Sequence, residues 1–358
     1  MNILFRVDAS HEMGTGHVMR CLTIANELKA RNAEIQFICR DLPGNLASYI
    51  REQGYPVFLL PLPSDRTDSS WLRVDFQTDA METAQILMES SPVDCLIIDH
   101  YGIDQRWERI VGEHVTTMAV IDDLADRPHL CSILLDQNSS HGGDCYHHLA
   151  PANCSIFAGT SYAILRPEFR SMKKQLAERD GRMNRILVFF GGTDPTNETA
   201  KALQILSKAR FSKLSIDVVV GEMNKNKALI EAICNRMPNA AYHCQIDYMA
   251  KLMRRADLFI GAGGSSTWER CYLGLPSLSV VTADNQREIT RLAHDHGATI
   301  CIGASAEVTT KEIEDGIDTL LANPSLVKEM SERALQLMGE DRLNEFIDRI
   351  IGGDNGGH

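Results

Sequence analysis

Short apolar runs alternate with amphipathic stretches along most of this chain. In the first half, runs at 2–8, 34–39, 56–60, 93–98, 116–121 and 132–135 have the length of buried strands, and stretches such as 17–31 and 79–90 have helical spacing. Strand and helix alternating at this interval predict parallel βαβ units, because a parallel crossover needs a connection about as long as a helix. Residues 170–184 break the pattern: Lys173, Lys174, Arg179, Asp180, Gly181 and Arg182 form a polar, weakly periodic stretch, read as a linker or an exposed helix. The alternation then resumes, with strands expected at 185–190, 215–220, 240–243, 257–261, 277–281 and 299–302. Helices are expected at 197–209, 226–236, 247–255, 265–273, 285–296, 309–322 and 325–350, before a glycine-rich tail that frays after 351. The pattern predicts an α/β chain of two doubly wound, Rossmann-like domains facing a central cleft. The expected boundaries are an N-terminal domain at 1–168, a linker at 169–184, a C-terminal domain at 185–335, and a C-terminal helix and tail at 336–358.

Composition narrows the function classes. A length of 358 residues suits about two domains, and 44% hydrophobic residues supply their cores. A net charge of −12 argues against a nucleic-acid surface, which needs clustered Lys and Arg. It leaves room for a small anionic ligand, since backbone amides can oppose the global charge locally. The ten cysteines are scattered, mostly within apolar stretches, and form no Cys-x-x-Cys pair. Without a secretory signal before the first strand, reduced thiols and a cytoplasmic location are expected. No apolar run approaches the roughly 20 residues that span a bilayer, so no stable membrane association is expected. His141, Cys145, His147, His148 and Cys154 are the one cluster resembling metal ligands, but their spacing fits no standard zinc pattern and no Asp-x-Asp motif occurs. Neither a metal nor a cofactor is expected.

The candidate chemistry lies at strand-to-helix turns. Gly14-Thr15-Gly16-His17-Val18-Met19-Arg20 directly follows the strand Ile3–Val7. Such a turn offers backbone N–H groups to an anion and sets beside it the side chain that titrates near neutrality. Asp99-His100-Tyr101-Gly102 and Asp122-Asp123 also follow apolar runs, at the carboxyl ends of strands where open α/β sheets bind ligands. Far downstream, the strand Asp257–Ile260 runs into Gly261-Ala262-Gly263-Gly264-Ser265-Ser266-Thr267, and Trp268-Glu269 opens a helix. Small residues let a ligand approach the backbone, Ser265 and Ser266 add hydroxyls, and Glu269 can accept bonds from two ribose hydroxyls. Glu269 as a complement to the helix dipole and the serines as plain caps are the competing explanation; the glycines favour nucleotide binding. A third turn, Gly191-Gly192-Thr193-Asp194-Pro195, reads equally well as part of the same site or as a simple turn capped by Asp194 or Thr196. Asn285 and Gln286 suit either sugar binding or capping.

Taken in order, these residues resemble a known family. Arg6 and Asp8, Gly14-x-Gly16-His17-x-x-Arg20, Ile98-Asp99-His100-Tyr101-Gly102, Asp122-Asp123 and Leu135-Asp136-Gln137-Asn138 match the start of its motif series. Gly159-x-Ser161-Tyr162-Ala163-x-Leu165-Arg166 and Gly191-Gly192-Thr193-Asp194 continue it. The family is that of the hydrolases acting on UDP-2,4-diacetamido-2,4,6-trideoxy-β-L-altropyranose in pseudaminic acid biosynthesis. The resemblance implies the two-domain glycosyltransferase-B fold shared with the UDP-GlcNAc transferase of peptidoglycan synthesis. It implies attack by water at the anomeric carbon with inversion and without metal, a UDP-sugar substrate, and free sugar and UDP as products; separately, the chain is expected to act as a monomer. It makes His17 the general base, with Gly14, Gly16 and Arg20 around the substrate. It gives Gly263, Gly264, Ser265 and Ser266 the diphosphate and Glu269 the ribose, and sets Tyr101, Arg166, Gly192 and Asn285 in the substrate cleft. The chain differs from compact members by extra residues around 61–80 and at the C-terminus. A glycosyltransferase of the same fold, with His17 deprotonating an acceptor hydroxyl, is the alternative.

Overall fold

The computed structural model describes residues 1–62, 71–139, 142–264 and 266–352. They form two compact units, 1–164 together with 340–358, and 165–339. The changeovers thus fall at 164/165 and 339/340, against the 168, 184 and 335 set by the sequence pattern.

In the first unit the chain runs β1 (Asn2–Val7), α1 (Gly16–Lys29), β2 (Glu34–Arg40), α2 (Ala47–Glu52), β3 (Val57–Leu60), α3 (Phe76–Glu89) and β4 (Val93–Asp99). It continues α4 (Gln105–Val111), β5 (Val115–Ile121), β6 (Ile133–Asp136) and β7 (Ser155–Ala158). The sheet order is β3-β2-β1-β4-β5-β6-β7, all parallel. Every residue of β1 is buried; helices cover both faces, so Ile3, Leu4 and Phe5 follow one another as apolar residues instead of alternating with polar ones. The chain starts at β1, winds outward to β3, then crosses back to β4 on the other side of β1. That reversal leaves a crevice between the carboxyl ends of β1 and β4, the position at which open α/β sheets take ligands.

The second unit contains α5 (Pro167–Lys173), β8 (Arg185–Phe189), α6 (Glu198–Leu206), β9 (Ser215–Val220), α7 (Lys227–Cys234), β10 (Ala240–Cys244), α8 (Met249–Arg255) and β11 (Leu258–Ala262). After these come α9 (Ser266–Tyr272), β12 (Ser277–Val281), α10 (Arg287–Asp295), β13 (Thr299–Ala304), α11 (Thr310–Ala322) and α12 (Pro324–Met338). Its parallel sheet has the order β10-β9-β8-β11-β12-β13, so the reversal lies between β8 and β11. The stretch read as linker or exposed helix begins with α5, which is anchored within this unit: Lys173 donates to the Tyr272 carbonyl at 2.8 Å, and Arg179 reaches the Met253 carbonyl at 3.2 Å.

The single helix expected at 325–350 is two. Gly339 ends α12 with φ +57°, a conformation L-residues rarely adopt, and the chain turns into α13 (Leu343–Ile350). Leu343, Phe346, Ile347 and Ile350 are buried in the core of the first unit together with Ile3, Phe5, Val18 and Leu135.

Candidate functional site

At the β1/β4 crevice, α1 begins at Gly16 with no side-chain cap, and His17 is its second residue. Gly14 has φ +76°, which the tight turn requires, whereas a Cβ on Gly14 or Gly16 would meet nothing within 4 Å. That open space is what close approach of a ligand to the backbone needs. His17 is largely buried, and its Nδ1 lies 2.7 Å from Asp99 Oδ1 at the end of β4. Arg20, one turn along α1, donates through Nε to Asp99 Oδ2 and through Nη2 to Asp99 Oδ1, both at 2.6 Å. Its Nη1 reaches Asp123 Oδ2 at 2.6 Å. Arg20 Nη2 also lies 3.2 Å from Nδ1, but a bare Nδ1 would set its lone pair against that of Asp99 Oδ1 across the shorter 2.7 Å contact, which favours the proton on Nδ1. The lone pair is then on Nε2, where a proton acceptor is useful. The Tyr101 ring stands edge-on to the imidazole with centroids 4.5 Å apart, and its hydroxyl donates to Asp123 Oδ2 at 3.3 Å. Asn138 donates to the other Asp123 oxygen at 2.8 Å. His17, Arg20 and Tyr101 are thus brought together, and Asp99, Asp123 and Asn138 hold them.

A second polar set lies behind this one. Arg6 pairs with Asp8 at 2.6 Å and Asp79 at 2.7 Å, Arg40 pairs with Asp79 at 2.6 Å, and His100 Nε2 lies 3.2 Å from Asp8, all fully or almost fully buried. The guanidinium of Arg6 holds Asp8 well below the usual carboxylate range against the opposing effect of burial. Closed on all sides, these ion pairs fix the loop that leads from β1 to the glycine turn. Beside Asp123, the Asp136 carboxyl is pushed up to about 7 by burial and by the charges of Asp123 and Asp122.

In the second unit the β11–α9 turn stands at the reversal of the sheet, with Gly192 at the end of β8 on the other side of the reversal. The glycines of this turn differ in purpose. A Cβ on Gly261 would fall 2.0 Å from the Phe189 carbonyl, and one on Gly263 would fall 1.8 Å from Thr290 Oγ1. The Gly263 N–H is committed to the Val280 carbonyl at 3.2 Å, so this amide is not free for the diphosphate role expected of it. A Cβ on Gly264 would meet only the Gln286 side chain, at an ordinary 3.5 Å or more, and one on Gly192 would meet nothing within 4 Å. Ser266 starts α9 and Glu269 lies in its first turn. Ser265 lies outside the described residues, as does His141 of the histidine–cysteine cluster; among the described residues no group of three metal-ligating side chains occurs.

Arg166, which precedes α5, donates from Nε to Glu269 Oε1 at 2.8 Å. Burial raises the Glu269 carboxyl while Arg166 opposes the rise, and its Oε2 has no hydrogen-bond partner among the described residues. Asp194 caps α6, accepting from the Glu198 and Thr199 amides at 2.9 and 3.0 Å, so the third glycine turn has the structural cap that the sequence left as one of two options. Asn285 is exposed in a single 3-10 turn at Asp284–Gln286, whereas Gln286 accepts from the Thr282 amide at 3.1 Å beside the turn.

The sequence placed Asp99 at a ligand-binding strand end and left Gln286 between sugar binding and capping, but it did not show that Asp99 holds His17. Their roles depend on register, Val7 pairing with Asp99 across β1 and β4.

Two parallel sheets, each reversing at the strand that carries a glycine turn, define a glycosyltransferase-B fold. The same fold is found in the crystal structure of Acinetobacter baumannii MurG, with a TM-score of 0.65 and 15% identity over 98% of this chain and 99% of that one. Residues 185–348 match the family described as the glycosyltransferase family 28 C-terminal domain. Over 80% of its length the chain is 27% identical to the UDP-2,4-diacetamido-2,4,6-trideoxy-beta-L-altropyranose hydrolase of Campylobacter jejuni, covering 93% of that protein. It is 23% identical to the spore coat polysaccharide biosynthesis protein SpsG of Bacillus subtilis, over 85% of this chain and 84% of that one. The resemblance read from the ordered motifs and the similarity over 80% of the chain therefore agree.

Proposed function

We propose that this protein is an enzyme acting on a nucleotide sugar, and that it hydrolyses a UDP-activated diacetamido-trideoxy hexose to UDP and the free sugar. The observation that carries the reading is the His17–Asp99 pair at the β1/β4 crevice, with Nδ1 bonded at 2.7 Å and the ring otherwise buried against Tyr101. Asp99 fixes the tautomer and the ring plane, so that Nε2 takes a proton from water as it attacks the anomeric carbon. Arg20 neutralises Asp99 and ties it to Asp123, holding the base in one orientation before substrate arrives.

Departure of UDP requires fixed donors where charge accumulates on the diphosphate. The amides from Gly264 onward and the Ser265 and Ser266 hydroxyls take that role. Glu269, held by Arg166 through one oxygen, uses the other to accept from the ribose hydroxyls. Water attack from the face opposite the leaving group inverts the anomeric centre. The similarity to the Campylobacter jejuni hydrolase over most of both chains supports water as the nucleophile. The match to a glycosyltransferase family over 185–348 favours a second reading, a transferase that uses the same base and donor site on an acceptor hydroxyl.

Incubation with the UDP-sugar alone separates the two. Hydrolysis predicts catalytic UDP release with no acceptor present, and the anomeric proton followed by NMR reports inversion. The H17N variant is expected to lose at least about 100-fold in turnover, the low end of general-base assistance, while binding UDP as the parent does. Near-parental turnover of H17N would remove the base assignment, and release of UDP only on adding an acceptor would establish the transferase.

A further inference from the structure

Arg270 belongs to none of the motifs above, yet its side chain is among the largest fully buried ones in the molecule. It projects from α9 onto the sheet beneath the β11–α9 turn. Nε donates to Ser277 Oγ at 3.0 Å, Nη2 to Ser279 Oγ at 2.8 Å and Nη1 to the Ala262 carbonyl at 3.2 Å. Thr299 closes the set, bonded to both serines at 2.8 Å, and the Phe259 ring lies 5.0 Å from the guanidinium carbon. Every acceptor is neutral. Among the described residues no carboxylate lies within ion-pair distance of Arg270, and the neighbouring Glu269 is itself paired with Arg166. Burial lowers the guanidinium only to about 10, so it stays charged at neutral pH.

A buried charge without a counter-ion is costly, and proteins ordinarily avoid it by pairing. The other two fully buried arginines, Arg6 and Arg40, each pair with two carboxylates. The carbonyl it binds belongs to the peptide unit whose nitrogen is that of Gly263, and Ser279 pairs in register with Gly261, two residues before Gly263. At ~3.3 Å per residue along a strand, the guanidinium lies about 7 Å beneath the turn. We propose that Arg270 is the fixed countercharge for the diphosphate of the bound nucleotide, an ion walled into the protein whose partner is the ligand. It acts through space, as a positioning residue that touches no ligand atom. This rests on the reading of the turn as the diphosphate site.

With the ligand above the turn, the charges are on the order of 10 Å apart, and through an intermediate dielectric one unit charge then shifts the affinity of another by about tenfold, an effect that grows with ligand charge. The test is the affinity of the full chain and of two variants for UDP, UMP and uridine, by calorimetry with competition for the weakest ligand. R270M is expected to lose about tenfold for UDP, less for UMP, and under twofold for uridine, whereas R270K stays within about threefold of the parent for all three. If R270M does not fold, R270Q takes its place, keeping hydrogen-bonding capacity without charge. Equal losses for all three ligands would make Arg270 a packing residue and overturn the proposal, as would unchanged UDP affinity or an R270K variant as weak as R270M. A parent chain that binds UDP no better than uridine would instead remove the diphosphate assignment, and the proposal with it.

Discussion

Tyr146 has one hydroxyl proton and two carboxylates to satisfy, Asp122 Oδ2 at 2.9 Å and Asp136 Oδ2 at 3.1 Å. If both were ionised, one would face an oxygen lone pair in a buried site. The conflict is resolved when Asp136 keeps a proton and donates it to Tyr146, which donates onward to Asp122. With its carboxyl raised from 3.8 to about 7, the folded protein binds this proton more tightly than the unfolded chain does between those values. The contribution to stability is therefore complete at low pH, falls as pH rises from about 4 to 7, and is level above, a swing of roughly 4 kcal/mol. The carboxyls of Asp8 and Asp99, held low by Arg6 and Arg20, lose their contribution only in stronger acid. In D136N the amide repeats the bonds of the protonated acid: Nδ2 donates to Tyr146 and Oδ1 accepts from the Asn138 amide. The stability of D136N relative to the parent is expected to rise between pH 4.5 and 7.5, by denaturant titration with the first unit followed separately. Parallel profiles would show that Asp136 ionises normally. None of this was legible in Leu135-Asp136-Gln137-Asn138, where Asp136 is one more polar residue after a strand. His17 was legible because its glycine turn is local, whereas Asp99 is 82 residues away and meets it only through strand pairing.

Among elements, the central strands were legible because a parallel strand covered on both faces must be a continuous apolar run. The edge strand β7 was not: its four residues, Ser-Ile-Phe-Ala, are all only half-buried. The glycines of the β11–α9 turn show a subtler limit. In the sequence Gly261, Gly263 and Gly264 are alike as small residues of one turn, but Gly261 faces the backbone of β8. Adding a methyl there sets it 2.0 Å from the Phe189 carbonyl and 2.4 Å from the Phe259 ring, so the β8–β11 pairing has to open. G261A is expected to destabilise the second unit by at least about 2 kcal/mol, in the range of overpacked cores. G192A, with nothing within 4 Å of the added atom, should change stability by under about 0.5 kcal/mol, as ordinary surface substitutions do. Chemical denaturation with hydrogen exchange resolved by unit checks both, and equal effects would contradict the packing argument.

At the scale of the whole molecule, the chain passes from the first unit to the second at 164/165 and returns at 339/340. The match to the glycosyltransferase family 28 C-terminal domain runs to residue 348, well into α13, so that homology does not stop where the structural unit does. The apolar positions of α13 were visible in the sequence, but their destination was not, since a helix records its buried face and not the partner it covers. That face is Leu343, Phe346 and Ile347, fully buried, and Ile350, 3% exposed. Polar contacts reinforce it: Arg342 N–H donates to the Ser161 carbonyl at 2.8 Å, Tyr162 donates to Glu345 at 3.1 Å, and Arg349 reaches Ser155 at 3.1 Å. Four buried side chains at about 1.5–3 kcal/mol each amount to a large share of the 5–15 kcal/mol by which domains are stable. A chain ending at Gly339 should therefore lose the fold of its first unit while residues 165–339 keep theirs. The expected record is loss of amide protection and rapid proteolysis across 1–164, with β8 to β13 protected as in the full chain. Adding α13 back as a separate peptide should restore part of that protection, because the helix contributes its apolar face rather than its covalent link. A truncated chain with an unchanged first unit would show that α13 only rests on that core and is not required by it.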